Sequence, residues 1–317
     1  MTAVELPSLG FGGASIGNLS TEVSDADAAA TVAAAWEAGI RYFDTAPHYG
    51  LGLSERRLGS ALSSYERDSY LVSTKAGRLL RPVDGAEPGV DRGFRVPATH
   101  ERVWDLSGDG IRRSLDESLV RLGLDRVDVL YLHDPEQRLP EALSTALPAL
   151  VSLREEGVVR AIGVGSMDLP ALSVLVATGA LDVVMMAGQY SLLAQPAAAS
   201  FLPECAGRGV DVVAASVFGS GLLASPSPGA DATFRYAPAP AALLERARVL
   251  AGLCARHGVT LPAVALQYVL RHPAVRCAVV GMQRPDEAAA NVRAAAQAVP
   301  LELWSELAAA GVSVPAF

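Results

Sequence analysis

Four side chains of the kind that move protons lie where short apolar runs end: Asp44, Tyr49, Lys75 and His133. An acid, a phenol, an amine and an imidazole suit proton transfer at an oxygen. Tyr49, with an ordinary pKa of about 10, is a poor base near neutrality. A Lys75 ammonium beside it favours the phenolate, and His133 can share a hydrogen bond with the reacting oxygen. Asp44 would hold Lys75 charged and in place. Depressing the phenol by two pKa units takes about 2.7 kcal/mol of differential stabilisation, which one desolvated cation supplies. Singly, each residue has an ordinary explanation. Asp44 suits a turn or N-cap, Lys75 a snorkelling surface site, Tyr49 a rim and His133 a buried hydrogen bond. Accident does not explain why three adjacent runs end this way.

Other chemistries fit less well. Asp44 and His48 are four apart, but Pro47 between them argues against a helix, and no HxH or HExxH metal motif occurs. The GxSxG elbow of a serine hydrolase is missing. A glycosidase built on Asp44 and Asp134 would leave Lys75 and Tyr49 without a role. The segment 219–224, GSGLLA, matches GxGxxA, yet Pro226 and Pro228 forbid the long helix of a Rossmann site. As a glycine-rich loop whose amides grip a pyrophosphate, it fits.

The elements that must position these groups are read from periodicity. Eight short apolar runs, at 9–13, 41–43, 70–74, 127–132, 159–164, 183–186, 210–215 and 277–280, are predicted as strands. Helical patterns follow them at 24–39, 55–62 (opened by Ser54), 107–122, 142–156, 171–178, 196–208, 241–257, 261–271 and 286–298. Near-continuous apolarity means both strand faces are buried, as in parallel sheets. Eight alternating units predict a closed (β/α)8 TIM barrel, a single domain over 1–317, with polar groups at strand ends converging on one mouth. Two irregular segments, 78–105 and 225–240, are predicted as long top-face loops.

Composition narrows the partners. Half the residues are hydrophobic and 19% are charged, which excludes wholesale disorder. A net charge of −8 argues against nucleic acid or an anionic membrane. Cys205, Cys254 and Cys277 have no CxxC spacing and suit a reducing compartment. No apolar run approaches the roughly 20 residues of a membrane span. The start, MTAVELPSLG, has no signal-peptide pattern, so a cytoplasmic protein is expected.

DTAPHYG, the run-ending Lys75, RLGLDRVDVLYLHDP, GVGS, ASVFGSGLL and GMQRPDEAAANV follow one another along nearly the whole chain. Together they resemble the aldo-keto reductase family. The resemblance implies a nicotinamide cofactor lying extended across the barrel mouth, and a catalytic tetrad of Asp44, Tyr49, Lys75 and His133. Tyr49 would be the acid in reduction and the base in oxidation. Ser166 and Gln189 would hold the carboxamide, and Ser216, Val217, Gly219, Gly221 and Leu222 the pyrophosphate. The adenosine half would meet Gly281, Gln283, Arg284, Glu287 and Asn291, with Gly13 and Asp44 completing the cofactor set. His48, Tyr49, Trp104, His133 and Phe218 would line the substrate pocket.

Within the family, the long insertion and the HDP at 133–135 look most like the branch of L-fucose (D-threo-aldose) 1-dehydrogenases and pyridoxal 4-dehydrogenases. That implies hydride transfer between the anomeric carbon of an aldose and NAD or NADP, giving the lactone. Pyridoxal oxidation, broad aldehyde or ketone reduction, and a cofactor-binding regulatory subunit are the alternatives. Glu287 stands where many NADPH-specific members carry a basic residue, which favours NAD, although Arg284 is near enough to meet a phosphate. Ala215 or Ser216 stands where many members stack a tyrosine under the nicotinamide, leaving Phe218 as the candidate support. The expected partner is a small sugar or aldehyde, with no nucleic acid and no membrane; the oligomeric state is open.

Overall fold

The computed structural model describes residues 4–83, 89–91, 93–235 and 237–315. Eight parallel strands close into a barrel: β1 (Leu9–Gly12), β2 (Tyr42–Asp44), β3 (Leu71–Ala76), β4 (Val129–His133), β5 (Ala161–Ser166), β6 (Val183–Ala187), β7 (Asp211–Ala215) and β8 (Val275–Gly281). Neighbours pair in chain order, and β8 closes on β1 with Leu9 opposite Ala278. The chain therefore has the (β/α)8 TIM-barrel fold. The two-residue strand period explains the apolar runs, because each strand buries both faces. Val129, Tyr131, Val183, Met185, Val213 and Val279 fill the barrel interior. Phe43, Val72, Leu130, Ile162, Val164 and Val280 belong to the outer core packed with the helices.

Four strands run further than their apolar letters suggest. Asp44, Lys75, His133 and Ser166 lie within β2, β3, β4 and β5 rather than after them. Their backbones are thus held by the ladder, with Asp44 opposite Ser73, Lys75 opposite Tyr131 and His133 opposite Gly165.

Side-chain caps start four helices, three where the sequence places them and the one expected at 171 two residues earlier. Ser24, Ser107, Asp168 and Thr260 accept the N–H three residues on and open Asp25–Glu37, Gly108–Leu122, Leu169–Ala177 and Leu261–Leu270. Ser54 does not cap its helix. Leu53–Leu62 begins after Gly52, whose φ is 78°, and the buried Ser54 hydroxyl donates instead to the Gly13 carbonyl at 2.7 Å. At Gly59 in this helix an added Cβ would meet the Leu122 carbonyl oxygen at 1.8 Å, so only glycine allows this helix–helix approach.

The predicted helix over 142–156 divides into a π-turn, Ala142–Ala146, and an α-helix, Leu147–Glu155. Pro148 has no N–H to donate, and the preceding Leu147 bonds five residues back to Ala142. A final helix, Leu301–Ala309, buries Leu303, Trp304 and Leu307 and was not legible beyond Pro300. No single helix among the described residues is long and apolar enough to cross a membrane.

The first irregular segment contains an antiparallel hairpin, Arg78–Pro82 paired with His100–Trp104. Its strands are 17 residues apart, a pairing that local pattern cannot supply. The hairpin's Phe94 bridges to Leu19 in the loop after β1. Residues 84–88 and 92 of this segment lie outside the described residues, as does residue 236 of the second segment. That second segment includes a two-residue hairpin, Thr233–Phe234 with Ala237–Pro238.

Candidate active site

Asp44, Lys75 and His133 are buried strand residues, and the turn after β2 returns Tyr49 over them as a partly buried ring. Lys75 Nζ donates to Asp44 Oδ2 at 2.6 Å and to the Thr45 carbonyl at 2.9 Å. The same nitrogen lies 4.6 Å from the centre of the Tyr49 ring, near enough for its charge to act on the phenol. The Tyr49 and His133 rings meet edge to face, with centroids 5.9 Å apart. The four residues far apart in the sequence are therefore one cluster.

Burial drives most of the electrostatics. It pushes the Tyr49 phenol up to about 12, against Lys75, which pulls it down, while Asp44 adds to the rise. The sequence-based expectation had the sign of the lysine right and the net direction wrong, because desolvation outweighs one cation. Burial also pushes the Asp44 carboxyl up, against Lys75 and Ser73. For Lys75, burial pulls down but Asp44 and then Tyr49 more than offset it, so its pKa rises. The lysine fixes the charge state of the pair. An ammonium with two oxygen acceptors keeps its proton when the carboxylate already receives a hydroxyl proton from Ser73. Burial, then Lys75, hold His133 well below the usual imidazole value, so it is neutral.

Around this cluster the hairpin builds a rim that the sequence did not reveal. Phe94 packs on His48 at 5.5 Å and on Tyr49 at 6.0 Å. Arg78 ion-pairs with Asp134 at 3.1 Å and covers Trp104 at 4.5 Å. Arg102 donates to the His48 carbonyl at 3.0 Å and is fixed by Asp91 at 2.7 Å. Burial and then Arg102 and Arg78 lower His48 to about 3. Asp134 takes a left-handed φ of 44° beside His133, at 3.6 Å from its Nε2. The charged letters of the insertion were the available signal; their partners were not.

Of the expected substrate residues, His48, Tyr49 and His133 are together, and Trp104 joins them through Arg78. Phe218 packs against the outer core and has no ring contact with them among the described residues.

The other half of the mouth suits a dinucleotide. After β7 the backbone turns through left-handed φ values at Ser216 (56°), Gly219 (56°), Ser220 (58°) and Gly221 (107°). The amides of Gly219 and Gly221 close turns inside this loop. Those of Val217, Phe218 and Leu222 have no hydrogen bond among the described residues, so they remain for a ligand. The side chains of Val217 and Leu222 are fully buried, so only their backbones can serve. Beside the loop lies a small cavity of about 20 Å³ lined by Met167, Gly188, Ser216, Gly219, Phe234 and Arg235. Arg235 is a cation at this cavity that the sequence reading missed. The donor set fits a phosphate-bearing cofactor.

The remaining cofactor candidates are partly engaged within the protein. Ser166 donates to Glu136 at 2.9 Å and accepts from the Asp168 amide, leaving its oxygen as an acceptor. Gln189 Nε2 donates to the Met167 carbonyl. The Gly13 amide is bonded to the Asp44 carbonyl, and a Cβ there would meet that oxygen at 2.7 Å, so Gly13 acts in packing. At Gly281 a Cβ would meet Ser15 Oγ at 2.7 Å. Gln283 ties to Leu19 and Thr21. Glu287 reaches back over the start of its helix, accepting the Gln283 amide at 2.7 Å and the Arg284 amide at 3.4 Å and pairing with the Arg284 guanidinium at 3.2 Å. Asn291 lies on the same helix, Pro285–Ala296. Among the described residues no cluster of three or more metal-ligating side chains occurs.

The model of the aldo/keto reductase family matches residues 8–311. A D-threo-aldose 1-dehydrogenase from a Pseudomonas species is 51% identical over 309 residues, covering 96% of this chain and 94% of the relative. A pyridoxal 4-dehydrogenase from Microbacterium luteolum is 37% identical, with 98% and 96% covered. The holo form of an aldo-keto reductase from Bacillus halodurans superposes with a TM-score of 0.76 at 24% identity, covering 100% and 97% of the two chains. The chain belongs to the aldo-keto reductase family and is an NAD(P)-dependent oxidoreductase. The regulatory-subunit alternative gives way to an enzyme.

Proposed function

We propose that this enzyme oxidises the anomeric hydroxyl of an aldose of the L-fucose or D-threo type to the lactone, with Tyr49 as the general acid/base. The observation that carries the reading is the Tyr49 phenol held against a buried ammonium, Lys75, that Asp44 locks in place at 2.6 Å. Identity of 51% to a relative named D-threo-aldose 1-dehydrogenase supports the substrate class. A bound nicotinamide would supply the hydride acceptor at C1. Tyr49 takes the hydroxyl proton from the sugar, and Lys75 stabilises the charge as it moves. Neutral His133 hydrogen-bonds the reacting oxygen. Because the free phenol sits at about 12, phenolate is scarce at neutral pH and oxidation speeds up toward alkaline pH.

The rim supports a polyol. Asp134, Arg78 and His48 offer polar groups to ring hydroxyls, while Phe94 and Trp104 offer apolar faces to the sugar ring. NAD is the favoured cofactor in this reading. Arg284 is flanked by Asp286 at 3.3 Å and Glu287 at 3.2 Å, so a 2′-phosphate would meet two carboxylates. A cytoplasmic setting is part of the reading, supported by three free, buried cysteines.

The test is absorbance at the nicotinamide band with NAD or NADP against L-fucose, D-arabinose, L-galactose, D-glucose and pyridoxal. Turnover of threo or 6-deoxy sugars with NAD is expected. Turnover of pyridoxal alone would transfer the assignment to the chemistry of the 37%-identical relative.

A further inference from the structure

The Asp44 carboxylate has a second oxygen, and what that oxygen touches is not used by the chemistry above. Ser73 Oγ donates to Asp44 Oδ1 at 2.7 Å. The Tyr42 hydroxyl lies 2.9 Å from Ser73 Oγ, and the Tyr131 hydroxyl 3.1 Å from that of Tyr42. Strand register builds this column. Ser73 is opposite Asp44, Tyr131 is opposite Lys75, and Tyr42 is two residues before Asp44 on the same face of β2.

The direction of the hydrogen bonds follows from counting protons. Ser73 has one, and it goes to the carboxylate. Tyr42 must then donate to Ser73, and Tyr131 to Tyr42. Three hydroxyl dipoles in series point at one oxygen of Asp44, and such chains reinforce each other in a low-dielectric interior. Tyr42, Ser73 and Tyr131 are all 0% exposed. Their surroundings are Val129, Val183, Met185, Val213, Cys277 and Val279, the apolar filling usual inside such barrels. Hydroxyls buried here are costly unless bonded, and the only charged group at the end of their chain is Asp44.

We propose that Ser73, Tyr42 and Tyr131 are positioning residues for the reaction, acting through Asp44: they keep its carboxylate ionised and oriented so that Lys75 stays an ammonium beneath Tyr49. This rests on the proton-transfer role given to Tyr49 and extends it down the barrel axis. The titratable groups that face Asp44 are Lys75, Tyr49, Tyr42, Tyr131 and Cys277. Of these, Lys75 and the hydroxyl column are what stabilise its charge. Removing donors from a carboxylate raises its pKa.

The test uses Ser73→Ala, Tyr42→Phe and Tyr131→Phe in the full chain, with Ser73→Thr as the conservative rescue. Two readouts are taken: kcat and KM against pH with NAD and L-fucose, and the carboxyl titration of Asp44 by carbon-13 NMR, assigned with Asp44→Asn. Expected is a rise of about one unit in the Asp44 pKa for Ser73→Ala, a smaller one for Tyr42→Phe and the smallest for Tyr131→Phe. The acid limb of kcat moves to higher pH in the same order. On the acid limb, where kcat tracks the ionised fraction of Asp44, kcat falls about tenfold in Ser73→Ala with KM within twofold, and Ser73→Thr restores it. Folded variants that lose thermal stability but keep both the Asp44 titration and the kcat profile of the wild type would overturn the proposal. If the wild type turns over no sugar, the aldose reading fails alone, because the NMR titration still decides the column.

Discussion

On the β2–β4 side of the mouth, Asp44, Lys75 and His133 are strand residues, each 7% exposed or less, with the ladder on both flanks. On the β5–β8 side, the groups suited to a cofactor are loop backbones at left-handed φ and half-exposed side chains such as Gln189 and Gln283. One side is finished before anything binds, its charges paired and its hydroxyls aligned. The other has amides without partners among the described residues at Val217, Phe218 and Leu222. The difference teaches how the work is divided. Chemistry that depends on a shifted pKa needs fixed, dry neighbours, whereas grip on a long ligand needs donors that are still free.

Substitutions on the two sides should therefore fail in different ways. The largest effect belongs to the β2–β4 side. Tyr49→Phe should lower kcat by about 10³-fold while cofactor affinity, read by fluorescence titration, stays within twofold. Lys75→Met should in addition destabilise the fold by about 3–5 kcal/mol in urea unfolding, because it leaves the Asp44 carboxylate buried without its cation. Normal turnover in Tyr49→Phe would end the distinction between the sides.

Gly219→Val is the converse. At φ 56°, with a Cβ 3.1 Å from the Phe234 ring, it strains the loop and should weaken cofactor binding about tenfold, with kcat at saturating cofactor nearly unchanged. A kcat loss equal to that of Tyr49→Phe would show the loop taking part in the chemistry.

The rim sharpens the comparison further. Asp134→Asn should reduce kcat/KM for an aldose about tenfold, the loss of one charged hydrogen bond, and leave a simple aldehyde within twofold. Equal losses for both substrates would assign Asp134 to shaping the site rather than reading hydroxyls.

A further effect is on pH stability. His48 takes a proton near pH 3 in the folded protein and near 6.5 unfolded. Between those values the unfolded chain binds more protons, so the stability contributed by neutral His48 is complete above pH 6.5 and fades as pH falls toward 3. Thermal melts should drop below pH 6.5, and His48→Gln should flatten part of that slope. An unchanged slope would place the acid sensitivity elsewhere.

Much of this was readable from the letters where a group's partner is the barrel itself. Eight apolar runs required burial on both strand faces, and that alone led to the closed barrel and to convergence of Asp44, Lys75 and His133 at its mouth. The helix starts at Ser24 and Ser107 were local and correct, each serine capping its helix. Ser54 was misread because its hydroxyl found Gly13, far away in the sequence. Glu287 was read as a charge facing the cofactor; its carboxylate also accepts the Gln283 and Arg284 amides at the start of its own helix.

What tertiary structure alone decided is everything set by distance in a low dielectric. The sequence determined that a phenol and an ammonium would meet. Only the packed barrel determined that burial, not the ammonium, sets the phenol's resting pKa at about 12. Likewise the letters named Phe94, Arg78 and Asp134 without pairing them, because the hairpin that carries Arg78 and the strand end that carries Asp134 are 56 residues apart in the chain. Periodicity reports which face is buried; it is silent on what that face touches, and contact is what shifts a proton.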